Sequence, residues 1–464
     1  MTDHFNFSDT ICAPATTTGG ALAIIRIDGE EAVSIVNTIC SKDLTACQGG
    51  TFVYDTILDK YEPLDDVIIS IFRAPHSFTG NESVEISCHG SSYIVQRMLT
   101  LLQKHGCRMA RPGEFTQRAF MNGKMDLARA EAVADLIASS TAAAHHMAMN
   151  QMRGGFSKAL GVLRDKLLHL CSMLELELDF SDHEDLTFAS RDELISLTTD
   201  TLKKIEELIS GFDLGNAIKN GIPVAIVGQP NAGKSTLLNA LVGEEKAIVS
   251  DIRGTTRDAI EDTVNIDGTL FRFIDTAGLR STTDSIEKLG IKKTFDKIKE
   301  ADVILWVIDA TRPYEDYLSL AEDIRVRDKK LIVALNKCDA TETAHPISEI
   351  KNALQEHFGE AYIIAISAKQ GIGMETLTAH LAQTAVDTKL ATNNVIVSNA
   401  RHREALCGAA SALHRALDAL HQQISGDLVS EDLRSAIYHL SDIVGDVTSQ
   451  DVLNNIFSHF CVGK

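Results

Sequence analysis

Gly228-Gln229-Pro230-Asn231-Ala232-Gly233-Lys234-Ser235 follows an apolar run, Ile222 to Val227, and precedes a helix-like stretch, Thr236 to Leu241. The eight residues have the Gly, four residues, Gly-Lys-Ser spacing of a phosphate-binding loop. Glycines let backbone N–H groups turn inward toward phosphate oxygens, and the following helix N-terminus adds its positive dipole. Lys234 is expected to reach the outer phosphates and the Ser235 hydroxyl to hold Mg²⁺. A nucleoside triphosphate is therefore the expected ligand.

Around this loop, strand-like and helix-like runs alternate over about 219–384. The strand candidates are Ile222–Val227, Phe271–Ile274, Val303–Ile308, Leu331–Leu335 and Tyr362–Ile366. The alternation predicts a doubly wound, mostly parallel sheet with its ligand at the strands' C-terminal ends. Three further segments stand at those ends. Asp275-Thr276-Ala277-Gly278 suits a water on Mg²⁺ and the γ-phosphate. The Asp339 carboxylate of Asn336-Lys337-Cys338-Asp339 matches the two N–H groups of guanine's Watson–Crick edge, and an unpaired buried carboxylate rejects adenine by on the order of 10⁴. Ser367-Ala368-Lys369 offers a backbone N–H to guanine O6. Each segment alone is a weak signal, but four in this order predict a Ras-like P-loop GTPase domain.

Gly254-Thr255-Thr256-Arg257-Asp258 lies between the loop and Asp275, and Thr256 is the candidate switch threonine completing the Mg²⁺ shell. The expected GTP-binding set is Asn231, Ala232, Gly233, Lys234, Ser235 and Thr236; Ser250, Asp251, Ile252, Arg253, Gly254, Thr255 and Thr256; Asp275, Thr276, Ala277 and Gly278; Asn336, Lys337 and Asp339; and Ser367, Ala368 and Lys369. Leu279 stands where many small GTPases place a water-orienting glutamine. Hydrolysis then needs other help: a monovalent cation near Asn231, and Glu287 to orient water.

Two other textures flank this domain. Residues 1–122 mix short strands (Ala21 to Ile27, Asp66 to Arg73, Ser83 to Cys88) with a helix over Tyr93 to His105, an α+β pattern. Residues 123–218 and 385–464 are helix-like. Ala128 to Ala144 is alanine-rich, and Leu160, Leu163, Leu167, Leu170, Leu174 and Leu178 form a stripe that reads as core. The reading is a multidomain α/β chain: an N-terminal domain (1–122), a discontinuous helical domain (123–218 and 385–464), and a nucleotide domain (219–384) inserted into it.

The 464 residues carry a formal net charge of −20, which argues against coating nucleic acid through a generally basic surface. The nine cysteines show no paired spacing and read as reduced thiols. No run of about 18 apolar residues predicts a membrane span. A cytoplasmic location is expected.

The chain resembles the tRNA-modification GTPase family MnmE, also called TrmE, over essentially its whole length. The most specific match is the ending, Phe460-Cys461-Val462-Gly463-Lys464. Next come Arg111-Pro112-Gly113-Glu114-Phe115-Thr116, Arg118-Ala119-Phe120-Met121-Asn122-Gly123-Lys124-Met125-Asp126-Leu127, Ser77-Phe78-Thr79-Gly80 and Cys88-His89-Gly90. The resemblance implies a folate-binding-like N-terminal domain that also forms a homodimer, and a flavoprotein partner, MnmG. The implied product is an aminomethyl or carboxymethylaminomethyl group on carbon 5 of the wobble uridine of certain tRNAs, its carbon drawn from a tetrahydrofolate derivative (5-formyl or methylene form). It further implies folate contacts at Arg26, Glu85, Lys124 and Lys464. The same resemblance implies K⁺ ligands at Asn231, Ser250, Ile252 and Thr255, Glu287 as the catalytic glutamate, and a part for Cys461 in the modification. Three segments depart from the family pattern: Pro14-Ala15-Thr16-Thr17-Thr18-Gly19, His89-Gly90-Ser91 and Ser181-Asp182-His183-Glu184. They touch loop geometry rather than the named contacts. A GTP-dependent switch for ribosome or RNA assembly is the alternative that the nucleotide motifs alone leave open.

Overall fold

Period-two alternation builds the first sheet. In β2 (Leu22–Asp28), Ala23, Ile25 and Ile27 are buried while Leu22 is exposed. The computed structural model describes residues 9–179, 191–244, 262–274, 300–313, 329–340, 345–359, 361–386 and 396–463. It divides into two compact units: Met1–Ala134, Gln151–Arg164 and Ile437–Lys464, and Asp135–Asn150 with Asp165–Ala436.

The first unit holds β1 (Ile11–Pro14), β2, β3 (Thr51–Asp59), β4 (Glu62–Phe72), β5 (Ser83–His89) and β6 (Arg108–Met109), in the order β3-β4-β5-β2-β1-β6. All pairs are antiparallel except β1 with β6. One face packs Ile25, Ile27, Ile69, Ile71 and Ile86 against Val95, Met98 and Leu102 of the helix Ser92–Lys104. Each such buried aliphatic side chain contributes about 1.5–3 kcal/mol. The other face carries Arg26 directly opposite Glu85. The C-terminal helix Gln450–Ser458 belongs to this unit. Its Leu453 and Phe457 bury against Leu127 and Ala130.

The second unit holds β7 (Ile222–Val227), β8 (Asp262–Ile266), β9 (Thr269–Ile274), β10 (Val303–Asp309), β11 (Lys330–Asn336) and β12 (Tyr362–Ala365), in the order β12-β11-β10-β7-β9-β8. Every pair is parallel except the edge pair β8–β9. β10 is buried at all seven positions, as a strand covered on both faces must be. Leu237, Leu241 and Leu377, from the helices Lys234–Glu244 and Met374–Val386, cover one face. Ile350 and Leu354 of the helix Ile347–Phe358 cover the other. The sheet is doubly wound and mostly parallel, as expected.

The insertion is visible in the helices that flank this sheet in the chain. The helix Arg191–Ser210 precedes it, the helix Ala400–His421 follows it, and the two pack together. Their buried faces are Leu194, Thr198, Thr201, Leu202 and Ile205 on one, and Leu406, Ala409, Leu413 and Ala416 on the other. The alanine-rich stretch 128–144 is divided between two helices. It forms Leu127–Ala138 and then Ala142–Met152. Thr141 Oγ1 accepts the Ala144 N–H at 3.1 Å, an N-terminal cap that begins the second helix.

Candidate functional site

At the end of β7 the chain turns sharply. Gly228 has φ +151°, and a Cβ there would stand 2.3 Å from the Val307 carbonyl of β10. Asn231 adopts the left-handed region at φ +64°, and Gly233 follows at φ +95°. The helix begins at Lys234, whose Nζ donates to the carbonyls of Gly228 and Gln229, each at 2.7 Å.

Asn336 joins three of the sequence segments. Its Nδ2 donates to the Ala232 carbonyl of the loop at 2.8 Å, and its Oδ1 accepts the Ala368 N–H at 3.0 Å. The side chain is buried, and a Cβ on Gly233 would lie 2.1 Å from its Nδ2. Only a glycine fits between loop and amide. Asp339 is half-buried, with Gln370 Nε2 at 3.0 Å. A hydrogen bond from the Ser367 hydroxyl, above other influences, holds its carboxyl below the usual carboxylate range. It is therefore charged and acceptor-only at neutral pH, as recognition of two N–H donors requires.

The structure thus brings Asn231, Ala232, Gly233, Lys234, Ser235 and Thr236 to the C-terminal end of β7, with Asn336, Lys337 and Asp339 after β11 and Ser367, Ala368 and Lys369 after β12. Ser250, Asp251, Ile252, Arg253, Gly254, Thr255, Thr256, Asp275, Thr276, Ala277, Gly278, Glu287 and Lys464 lie outside the described residues. One neighbour was missed by the sequence reading. Asp309, at the end of β10, pairs with Lys337 at 2.6 Å. Its place at the C-terminal end of a buried parallel strand was the signal that pointed to it.

A second constellation lies in the first unit. Arg26 donates through Nε to Glu85 Oε1 at 2.8 Å and through Nη1 to the Gly463 carbonyl at 3.1 Å. Its guanidinium lies 5.9 Å from the Phe78 ring and 5.6 Å from the Phe115 ring. The tail is held at two more points. The Gly113 N–H donates to the Cys461 carbonyl at 3.3 Å, and Gly463 has φ +93° with no room for a side chain, since a Cβ would meet the Pro14 carbonyl at 2.2 Å. Cys461 itself is exposed. Lys124 is exposed, donates to the Pro75 carbonyl at 2.8 Å, and runs its stem along Gly80 of the loop that carries Phe78.

That loop is fixed by a buried ionic cluster. Asp28 accepts from the Thr79 hydroxyl, from Asn81 Nδ2 at 3.0 Å and from Arg118 Nη1 at 3.4 Å. Arg118 also meets Asp9 at 2.7 Å and Glu114 at 3.2 Å, and Glu114 binds Arg108 at 2.6 Å. Asp28 and Arg118 are fully buried, and burial pushes the Asp28 carboxyl up despite these donors.

A family profile described as "MnmE helical domain" matches residues 127–461, and one described as "GTP-binding protein TrmE N-terminus" matches residues 10–124. A "tRNA modification GTPase MnmE" of Bacteroides thetaiotaomicron is 53% identical over 465 residues, covering 98% of this chain and 99% of its own. Proteins of the same name from Parabacteroides distasonis and Porphyromonas gingivalis are 51% and 48% identical, covering 98% and 99% of this chain and 100% and 99% of their own. The chain belongs to the MnmE family of tRNA modification GTPases. As in the MnmE relatives, the match runs from end to end, so it takes in the phosphate loop and the Arg26–tail constellation alike. Among the described residues no helix is long and apolar enough to cross a membrane.

Proposed function

We propose that this protein hydrolyses GTP and couples that cycle to the modification of carbon 5 of the wobble uridine in certain tRNAs, together with a flavoprotein partner, MnmG. Lys234 neutralises the outer phosphates, Ser235 and Thr256 hold Mg²⁺, and Asp339 reads guanine. Asp275 to Gly278 sense the γ-phosphate. With Leu279 unable to orient water, Glu287 does so, and K⁺ held by Asn231, Ser250, Ile252 and Thr255 supplies positive charge as two nucleotide domains pair in a homodimer.

In the N-terminal domain, Arg26, Glu85, Lys124 and Lys464 hold a tetrahydrofolate derivative, which supplies the one-carbon unit when bound. A carboxylate suits a pterin's N–H groups and the cations suit its carbonyl or glutamate tail. The observation that supports this reading is the meeting of Arg26, Glu85 and the tail carbonyl of Gly463, two residues after the exposed Cys461.

The test is mass spectrometry of wobble nucleosides in tRNA from cells lacking the gene. Loss of 5-aminomethyl-type and carboxymethylaminomethyl uridines is expected. The intact gene restores them, and neither a Lys234→Ala nor an Arg26→Ala copy does. Unchanged nucleosides in the deletion strain would overturn the proposal in favour of an assembly switch.

A further inference from the structure

The turn after β10 touches both halves of the nucleotide site. Asp309 is 4% exposed. Its Oδ2 accepts from Lys337 Nζ at 2.6 Å, and its Oδ1 accepts the N–H and hydroxyl of Thr311 at 3.1 and 2.6 Å. Three residues on, Arg312 Nη1 reaches the Gln229 side chain of the phosphate loop at 3.4 Å. Lys337 directly follows Asn336 and has φ +65°. A non-glycine residue keeps a left-handed backbone only where its surroundings fix it. Here the Asn336 carbonyl accepts the Ala310 N–H at 3.0 Å, the Lys337 carbonyl accepts the Ala340 N–H at 3.1 Å, and Asp309 grips the ammonium.

We propose that Asp309 is a positioning residue for guanine-nucleotide binding, acting through Lys337. A free lysine has four rotatable bonds, and a ligand that packs on its stem must order them at a cost to affinity. Asp309 orders that side chain in advance. Burial alone would raise its carboxyl, but the hydrogen bonds from Lys337 and Thr311 outweigh burial and hold it low, so the anchor stays ionised. The carboxylate faces an ammonium at contact distance, so its charge is matched and not left to repel phosphates. The anchor sits beside Asn336 and Asp339 at the base end of the site, so GDP and GTP gain alike from it. The inference rests on the nucleotide-site reading of this sheet end.

The test is a double-mutant cycle on the full chain, with GDP and GTP affinities read by a fluorescent nucleotide. Asp309→Asn keeps the shape and an acceptor for Thr311. It is expected to weaken both nucleotides on the order of tenfold, mainly through faster release. Lys337→Met is expected to weaken both as much or more, and the double variant to bind no worse than Lys337→Met alone. A merely structural role would give losses that multiply. Asp309→Glu, which keeps the charge and shifts it by one methylene, supplies the same comparison should Asp309→Asn fold poorly. Its loss is expected to vanish in the Lys337→Met background. Affinity within twofold of wild type, or multiplying losses, overturns the anchor alone; a wild-type chain that does not bind GDP overturns the site reading with it.

Discussion

The Arg26 guanidinium donates to the carbonyl of Gly463 at 3.1 Å, tying the second strand to a residue 437 positions later. Glu85, directly opposite on β5, fixes the same guanidinium at 2.8 Å and so sets the direction of its remaining donors. The tail is thus part of the N-terminal sheet's surface. Any ligand that engages Arg26 on that face meets the tail at the same time, so docking of the tail and binding there are thermodynamically linked.

Gly463→Ala tests the docking directly. A Cβ at φ +93° is strained, and 2.2 Å from a backbone oxygen it cannot be relieved by a rotamer change. The expected outcome is release of the last residues, since undocking costs less than that clash. Global stability should fall by no more than about 1–3 kcal/mol. Limited proteolysis should cleave the variant's tail sooner, and 5-formyltetrahydrofolate affinity should fall toward that of Arg26→Ala. A tail as resistant as wild type would contradict the packing described.

Asn336→Ala removes the amide that bridges the phosphate loop and the Ala368 backbone. The Ala232 carbonyl and the Ala368 N–H both lose a buried partner, at about 1–3 kcal/mol each before relaxation. GDP affinity is expected to fall by more than for a simple base-contact loss, because the loop's shape goes with it. Titration with a fluorescent guanine nucleotide, alongside thermal melting, measures both effects. A normal melting temperature with normal affinity would refute the bridge.

Glu114→Gln tests the buried cluster of the first unit. Burial raises the Glu114 carboxyl, but Arg108, the Arg111 N–H and Arg118 outweigh it, and the net shift is below its ordinary 4.5. A depressed folded pKa means that this contribution is complete above the unfolded value and is lost as pH falls through the folded one. Asp28 has the opposite sign, since its raised folded pKa favours the native state as it protonates. Breaking a buried pair from one side costs about 3–5 kcal/mol. Urea unfolding of the variant should show a loss of that size at pH 7 that shrinks toward pH 3. A loss independent of pH would point to packing and not charge.

Much of this was legible in the sequence, and the reasons differ by element. Ile222–Val227 was read at its observed bounds, because a six-residue apolar run ending in a glycine-rich loop has few alternatives. Tyr93 to His105 and Ser83 to Cys88 fell within a residue of the observed helix and strand. β3 went unread, since its exposed Phe52 and Tyr54 break the usual rule that apolar side chains point inward. β8 is a short edge strand that carries Asp262 and Asn265, poor strand formers. In the sites, segments with a distinctive loop signature stand out in the sequence, and the members of a buried ionic cluster do not. Asp28 and Arg118 look like surface charges in the sequence, and only long-range contacts reveal them as buried partners.

Asp339→Asn addresses base recognition. The Asp339 carboxylate is held below the usual range chiefly by Ser367, so it remains charged throughout the pH range in which the protein is handled. The preference for guanine over other bases is therefore expected to be flat from about pH 5 to pH 8, since the ordinary aspartate range lies below that window and the shift is downward. An asparagine presents one acceptor and one donor where the carboxylate presents two acceptors. The amide donor then opposes one guanine N–H and suits a base with a carbonyl at that edge. The variant should lose most of its preference for GDP and gain affinity for xanthosine diphosphate. Competition between the two nucleotides on the wild-type and variant chains gives the answer, and retained guanine preference in Asp339→Asn would move base recognition to other groups at the ends of β11 and β12.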